Sequence, residues 1–370
     1  MDHVAIDLGG RESQICVRRS DGTILEERRC PTKSLARVLA TRAPSRVILE
    51  TCAEAFAVAD QVKALGHEVV VVPATLARTL GVGAKGQKTD VRDARALSKA
   101  SCALDEMPRV HIPSLQARQW KSVAGMRETL VESRTMLINT VRGWLRGQLE
   151  RVRSGGVTTL PQRVREHFST MNKALPAHLE RQLVTIELLT TQIAEADKDV
   201  ERLAQGDPRC VRLMSVPGVG PVTSVRFVAA VDEVGRFPSA HALESYLGLV
   251  PGQDSSSERV RRTGITKAGP AELRRVLIQA CWTMRRVRPG DPLSRWAKDV
   301  EGRRGSQVAV TAMARKLAGI LFALWRDGTV YQPQRSSTLG AKLQAEELAR
   351  HTAYLAESLK LLAAKEQRQR

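Results

Sequence analysis

An aspartate ends the first apolar run of this chain. In His3-Val4-Ala5-Ile6-Asp7-Leu8-Gly9-Gly10, Val4, Ile6 and Leu8 alternate with Ala5 and Asp7 at the period of a β-strand, and both faces are mostly apolar. A carboxylate in that setting costs desolvation free energy unless a cation or a hydrogen-bond donor meets it. Taken alone, Asp7 reads equally well as a turn-capping residue before the glycines. What singles it out is that Glu50, Asp90 and Asp93 recur where later elements can bring them to it.

The elements follow in order. Gln14 to Arg19 and Thr23 to Arg29 read as strands around the turn Ser20-Asp21-Gly22, Lys33 to Thr41 as a helix, and Ser45 to Glu50 as a short strand that again ends on an acid. Ala53 to Leu65 is a helix closed by Gly66, and Glu68 to Val72 is a β-branched strand stopped by Pro73. A glycine-rich, lysine-bearing loop, Gly81 to Gln87, leads to a helix with Thr89 as N-cap. Three antiparallel strands followed by strand-helix alternation predict a mixed α/β sheet over residues 1–112. Asp90 and Asp93 share one face of the last helix, although acids in a first turn also simply complement the helix dipole.

Together the four acids resemble the arrangement of ribonuclease-H-like nucleases. Two unit charges about 4 Å apart repel by roughly 4 kcal/mol at an effective dielectric of 20, so such a cluster needs counter-ions. Mg²⁺ (or Mn²⁺) meets the need, being held by a few carboxylates plus waters and phosphate oxygens. Lys85 and Lys88 in the adjacent loop are placed to hold a nucleic-acid backbone.

Composition narrows the partner. Lys and Arg number 58 against 39 acids, a formal charge of +19 over 370 residues, which predicts more than one domain and an anionic polymer as ligand, nucleic acid first. A membrane is not expected: there is no basic amphipathic N-terminal anchor or signal peptide, and the best apolar run, Val308 to Trp325, carries Arg315 and Lys316 and reads as a buried helix. The expected location is the cytoplasm, at the nucleoid. Six scattered cysteines show no metal-binding spacing, and Cys52 beside Glu50 reads as a small buried thiol.

Residues 113–205 read as a long antiparallel helical hairpin of coiled-coil type, Ser114 to Arg151 and Pro176 to Leu203, flanking a loop with Ser154-Gly155-Gly156. Its first helix bears Arg118, Lys121, Arg127, Arg134, Arg142 and Arg146, either a solvated face or a nucleic-acid contact. Trp120 and Trp144 read as core in preference to base-stacking residues.

Residues 206–330 form a helical C-terminal domain. Leu213-Met214-Ser215-Val216-Pro217-Gly218-Val219-Gly220-Pro221 has the helix-hairpin-helix pattern, in which Gly218 and Gly220 let backbone amides approach a phosphate, or else is a plain helix turn. Gly252-Gln253-Asp254-Ser255-Ser256-Ser257 reads as a polar loop, ordinarily a linker, but here hemmed by Arg259, Arg261, Arg262, Lys267, Arg274 and Arg275. A charged helical tail, 331–370, carries no nameable chemistry.

Asp7, Glu50, Asp90-x-x-Asp93, Val-Pro-Gly-Val-Gly-Pro, and Gly-Leu-Val-Pro followed by serines and Gly-Ile-Thr-Lys-Ala-Gly together resemble the insertion-sequence transposases of the one-hundred-ten family. The resemblance implies a RuvC-like DEDD domain with Mg²⁺ at the four acids, a C-terminal transposase domain with a serine nucleophile, DNA element ends and target as substrates, a structured bridge RNA as guide, and a homo-oligomer in which one subunit's acids meet another's serine. The family serine precedes a glycine whose place is taken by Ser257, which points to Ser256 and leaves Ser255 and Ser257 open. A Holliday-junction-type metal-dependent nuclease would share the acids and ignore the serine. A non-catalytic nucleic-acid-binding protein would need the charge alone.

Overall fold

The structure, a computed structural model, describes residues 1–82, 89–256 and 259–333, the side chains of 254–256 and 259–262 excepted. Lys85, Lys88, Ser257, the side chains of Ser255, Ser256, Arg259, Arg261 and Arg262, and the tail helix read from Ala341 to Lys365 therefore lie outside the described residues. The chain divides into two compact units, Met1–Ser114 and a second that begins at Leu115.

The first unit is a mixed sheet with helices on both faces. It comprises β1 (His3–Asp7), β2 (Glu12–Arg18), β3 (Ile24–Pro31), α1 (Leu35–Leu39), β4 (Arg46–Glu50), α2 (Ala55–Ala64), β5 (Glu68–Val72), α3 (Ala74–Ala77) and α4 (Asp90–Ala103). The strand order is β3-β2-β1-β4-β5. β1, β2 and β3 pair antiparallel, whereas β1, β4 and β5 run parallel. Alternation sorts the side chains. Val4, Ile6, Val47, Leu49 and Val71 pack with Leu35 and Leu39 of α1 and Val58 and Val62 of α2. Ala5, Ile48, Val70 and Val72 face the other way, toward Leu97 of α4 and Met107. Each valine, leucine or isoleucine side chain fully withdrawn from water contributes about 1.5–3 kcal/mol, so the register that puts both sets in place is strongly fixed.

The second unit opens with α5 (Leu115–Gly147), α6 (Leu160–Thr170) and α7 (Ala177–Gln205). α5 and α7 lie antiparallel. Ile138, Val141 and Leu145 meet Leu179, Leu183 and Ile186 at one end, while Trp120 and Ala124 share a core with Val200 and Ala204 at the other. Arg127 Nε donates to Asp197 Oδ1 at 2.7 Å and Arg134 Nη1 to Thr190 Oγ1 at 3.4 Å, so two of the arginines considered for nucleic acid serve the helix pair instead. α6 occupies the segment read as loop. It buries Leu160, Pro161, Val164 and Phe168, over the α5–α7 end, too short an apolar pattern to stand out.

Among the described residues there follow α8 (Pro208–Leu213), α9 (Pro221–Val231), α10 (Ala240–Tyr246), β6 (Pro251–Ser256), β7 (Arg259–Ile265), α11 (Ala271–Val287), α12 (Pro292–Arg304) and α13 (Ser306–Asp327). α9 and α13 run through the core, through Val225, Phe227 and Val231 of one and Val310, Met313, Leu317 and Leu321 of the other. By length and composition alone α13 would pass as a membrane span. Its apolar side is packed inside the unit and its charges are engaged, Arg315 Nε by Glu244 at 2.6 Å and Lys316 over the Trp296 ring.

The serine segment departs from the expected polar loop. Residues Pro251–Ser256 pair antiparallel with Arg259–Ile265 as a two-stranded hairpin. Gly, Gln, Asp and Ser lack both the β-branching and the alternation by which strands are recognised, so backbone pairing here was invisible to side-chain pattern.

Candidate functional site

Asp7 is the last residue of β1, and Glu50 the last of β4. The two strands are parallel neighbours with Ile6 opposite Leu49, so the next pair in register is Asp7 beside Glu50. Neighbouring strands lie about 4.8 Å apart, close enough for the two carboxylates to share one ion. Strand alternation puts both on the side of Ala5 and Ile48, the side covered by α4.

The register of α4 decides where Asp93 stands. Ser101 Oγ meets His3 Nδ1 at 2.7 Å, and Ser98 Oγ meets Cys16 Sγ at 3.3 Å, Cys16 being paired with Ala5. The helix therefore runs antiparallel to β1. From Ser98 back to Asp93 the helix advances about 7.5 Å, and from Ala5 to Asp7 the strand advances about 6.6 Å. Asp93, only 2% exposed on the sheet-facing side of the helix, thus lies level with Asp7. Its small neighbours Ala94, Ser98 and Ser101 on that buried face allow the close approach, and their spacing of three and four is the signal in the sequence that gives it away.

Asp90 is different. It is exposed at the first position of α4, one turn before the buried Asp93. Among the described residues no three His, Cys, Asp or Glu side chains are grouped closely enough to hold a metal ion as they stand.

The edge around the acids is braced by residues the sequence did not single out. Thr32 Oγ1 donates to Gly9 O at 2.6 Å, Ser13 Oγ lies 2.8 Å from Thr32 Oγ1, and Thr51 Oγ1 accepts from the Ala74 amide at 2.8 Å. Thr89 caps α4 as expected, accepting from the Arg92 amide. Cys52 is exposed on the bend after β4 and is no buried thiol, because the chain there has already left the sheet.

In the second unit several basic candidates prove to be otherwise engaged. Arg275 Nη1 donates to Glu128 Oε1 at 2.6 Å, and Arg274 Nη1 lies within bonding distance of the Leu247, Ala268 and Gly269 carbonyls. Arg274 is thus held by backbone carbonyls, whereas Arg275 pairs with Glu128 while half of its side chain stays exposed. Gly218, at φ +87°, is turned inward, where a Cβ would strike Ala280 O and lie 2.8 Å from Met284 N of α11, so close helix packing requires glycine there. Gly220, the N-cap of α9, has open space around it, and Lys267 is exposed. Trp120 is 7% exposed under the Arg209 guanidinium, and Trp144 packs on Phe168, so both tryptophans belong to the interior.

Comparison with known proteins finds two family matches along the chain. A family model described as Transposase, of the IS110 DEDD type, matches residues 4–149, and the Transposase IS116/IS110/IS902 family matches residues 210–294. A probable family 20 transposase from Pseudomonas aeruginosa is 31% identical over 298 residues, 78% of this chain and 86% of the relative. This chain belongs to the IS116/IS110/IS902 family of transposases. The transposase of insertion sequence element IS1328 from Yersinia enterocolitica is 27% identical over 89% of this chain and 98% of its own length. That of IS1111A from Coxiella burnetii is 30% identical, covering 65% and 67%. In this IS110-type transposase the first match contains all four acids, and the second contains the serine hairpin and Arg274.

Proposed function

We propose that this transposase cuts and rejoins DNA through a serine-linked intermediate, with Mg²⁺ (or Mn²⁺) held at the acid edge and a structured RNA as guide. The observation that carries it is the pairing of Asp7 with Glu50 at the ends of adjacent parallel strands, under the start of α4 and level with Asp93. An all-carboxylate donor set suits a hard cation, and Mg²⁺ needs only one or two carboxylates because it keeps waters and takes phosphate oxygens. A bound ion of this kind neutralises the carboxylates and polarises the phosphoryl group.

The chain's own groups account for the rest. Asp7 and Glu50 are the inner ligands, and Asp93 and Asp90 extend the site toward the helix start, where the dipole favours an anion. The hydroxyl of Ser256, or of Ser255 or Ser257, attacks phosphorus: an O–P bond forms, the bond to the leaving strand breaks, the hydroxyl proton passes to a carboxylate, and the leaving oxygen takes a proton. Rejoining reverses these steps with another strand's hydroxyl, so no ATP is required. Lys85, Lys88, Gly220, Arg259, Arg261, Arg262 and Lys267 contact phosphates. In a homo-oligomer, the acids of one subunit serve the serine of another, at the cytoplasmic nucleoid.

A DNA substrate carrying the element end, incubated with the full-length protein and Mg²⁺ and resolved under denaturing conditions, tests this reading. Expected is a protein–DNA adduct that disappears in Asp7→Asn and in Ser256→Ala. Adduct undiminished in Ser256→Ala removes that serine; cleaved ends without adduct transfer the chemistry to water and a junction-type nuclease.

A further inference from the structure

Two chain segments cross at the root of the serine hairpin, Tyr246-Leu247-Gly248 leading into β6 and Lys267-Ala268-Gly269 leaving β7. Their backbones touch. A Cβ on Gly248 would collide with the Ala268 backbone, and one on Gly269 with Tyr246 O; both glycines have positive φ, +66° and +70°. Lys267 also has positive φ, +56°. The crossing is tied by Thr266 N to Val250 O at 3.0 Å and Lys267 N to Gly248 O at 3.1 Å. Beneath it Leu247 and Leu249 are fully or nearly fully buried in the core, with Ile265 packed alongside. The hairpin thus stands on a narrow base of backbone-to-backbone contacts, and at that base three carbonyls, from Leu247, Ala268 and Gly269, converge on one side chain, Arg274 of α11.

We propose that Arg274 is the positioning residue of the serine hairpin: by clamping both crossing segments to α11, its guanidinium sets where β6 and β7 project and therefore where the nucleophile stands. The inference rests on the serine reading above. Carbonyls drawn from both legs of the crossing converge on a single Nη1, so the two legs cannot separate or slide without breaking its bonds. A lysine ammonium carries the same charge on a flexible stem one atom shorter than the path to Nη1, so it keeps the charge without reaching the point where the three carbonyls converge.

The test uses the full-length protein with Arg274→Lys and Arg274→Gln, read in four ways: melting temperature, DNA affinity against salt, rate of adduct formation at saturating DNA, and hydrogen exchange at the Thr266 and Lys267 amides. Expected are faster exchange at those amides, DNA affinity and salt slope unchanged, and an adduct rate lowered about tenfold or more in both variants, within the range a misplacement of about 1 Å produces. Full adduct rate in Arg274→Lys overturns the inference, even if Arg274→Gln does not fold. So does lost affinity with the salt slope reduced by about one and the saturated rate intact, the signature of a phosphate contact. Replacing Ser255, Ser256 and Ser257 together by Ala separates the two readings: adduct persisting in that variant sinks the serine, whereas unchanged amide exchange in the Arg274 variants sinks the clamp.

Discussion

Glu128 joins three helices of the second unit through its carboxylate. Arg226 of α9 reaches it at 3.4 Å and also donates to Ala124 O at 2.7 Å, while Arg275 of α11 reaches its other oxygen at 2.6 Å. Both Glu128 and Arg226 are less than 9% exposed, so removing the acid leaves a buried cation without its counter-charge. Glu128→Gln should lower stability by roughly 3 kcal/mol in urea unfolding at neutral pH. Burial alone would push the Glu128 carboxyl up, but the Arg275 hydrogen bond and the charges of Arg275, Arg226 and Arg127 outweigh it and hold the carboxyl below its ordinary range. A carboxyl lower in the folded than in the unfolded state stabilises fully above the ordinary glutamate pKa of about 4.3 and loses that contribution as pH falls through the folded value. The gap between wild type and Glu128→Gln should therefore close on acidification. Asp7→Asn has the opposite character. It relieves repulsion with Glu50, so strand cleavage should vanish while the melting temperature holds or rises.

At the scale of elements, α9 and its preceding turn separate two uses of glycine. Gly218→Ala places a methyl against the backbone of α11 and forces a positive φ on alanine, and should destabilise the protein by about 2 kcal/mol or more in the same urea experiment. Gly220→Ala meets nothing and should leave stability nearly unchanged; if its amides receive phosphate, DNA affinity falls alone. Sequence could not tell these two apart, since the packing of Gly218 depends on Ala280 and Met284 of α11, more than sixty residues onward. What it did reveal was local. The strands ending on Asp7 and Glu50 and the Thr89 cap of α4 follow from alternation and capping chemistry, and each is found within a few residues of expectation. The β6–β7 pairing, the exposure of Cys52 and the engagement of Arg274 by carbonyls have no periodic signal, because each depends on which backbone passes nearby. The burial of Asp93 and the exposure of Asp90 likewise follow from which face α4 turns to the sheet.

For the molecule as a whole, the charge of +19 makes a quantitative demand. Binding to duplex DNA should weaken linearly in log affinity against log salt, by about 0.9 per phosphate engaged, so six to ten contacts would lose about 10³–10⁵ between 50 and 200 mM salt. Fluorescence anisotropy over that range checks it, and a flat response would show that the basic side chains are internally paired, as Arg127 and Arg275 are.

The sheet of the first unit finishes at β5, whose outer side would invite pairing by any stray extended chain. Val110 closes it by donating to Val71 O at 2.8 Å, and Val110 and Ile112 settle on the apolar layer beneath, so this short lacing is a selvage on the fabric of the sheet. A fragment cut after Ala103 should leave that border raw and clump at working concentration, whereas one carried through Ser114 should remain monodisperse by light scattering.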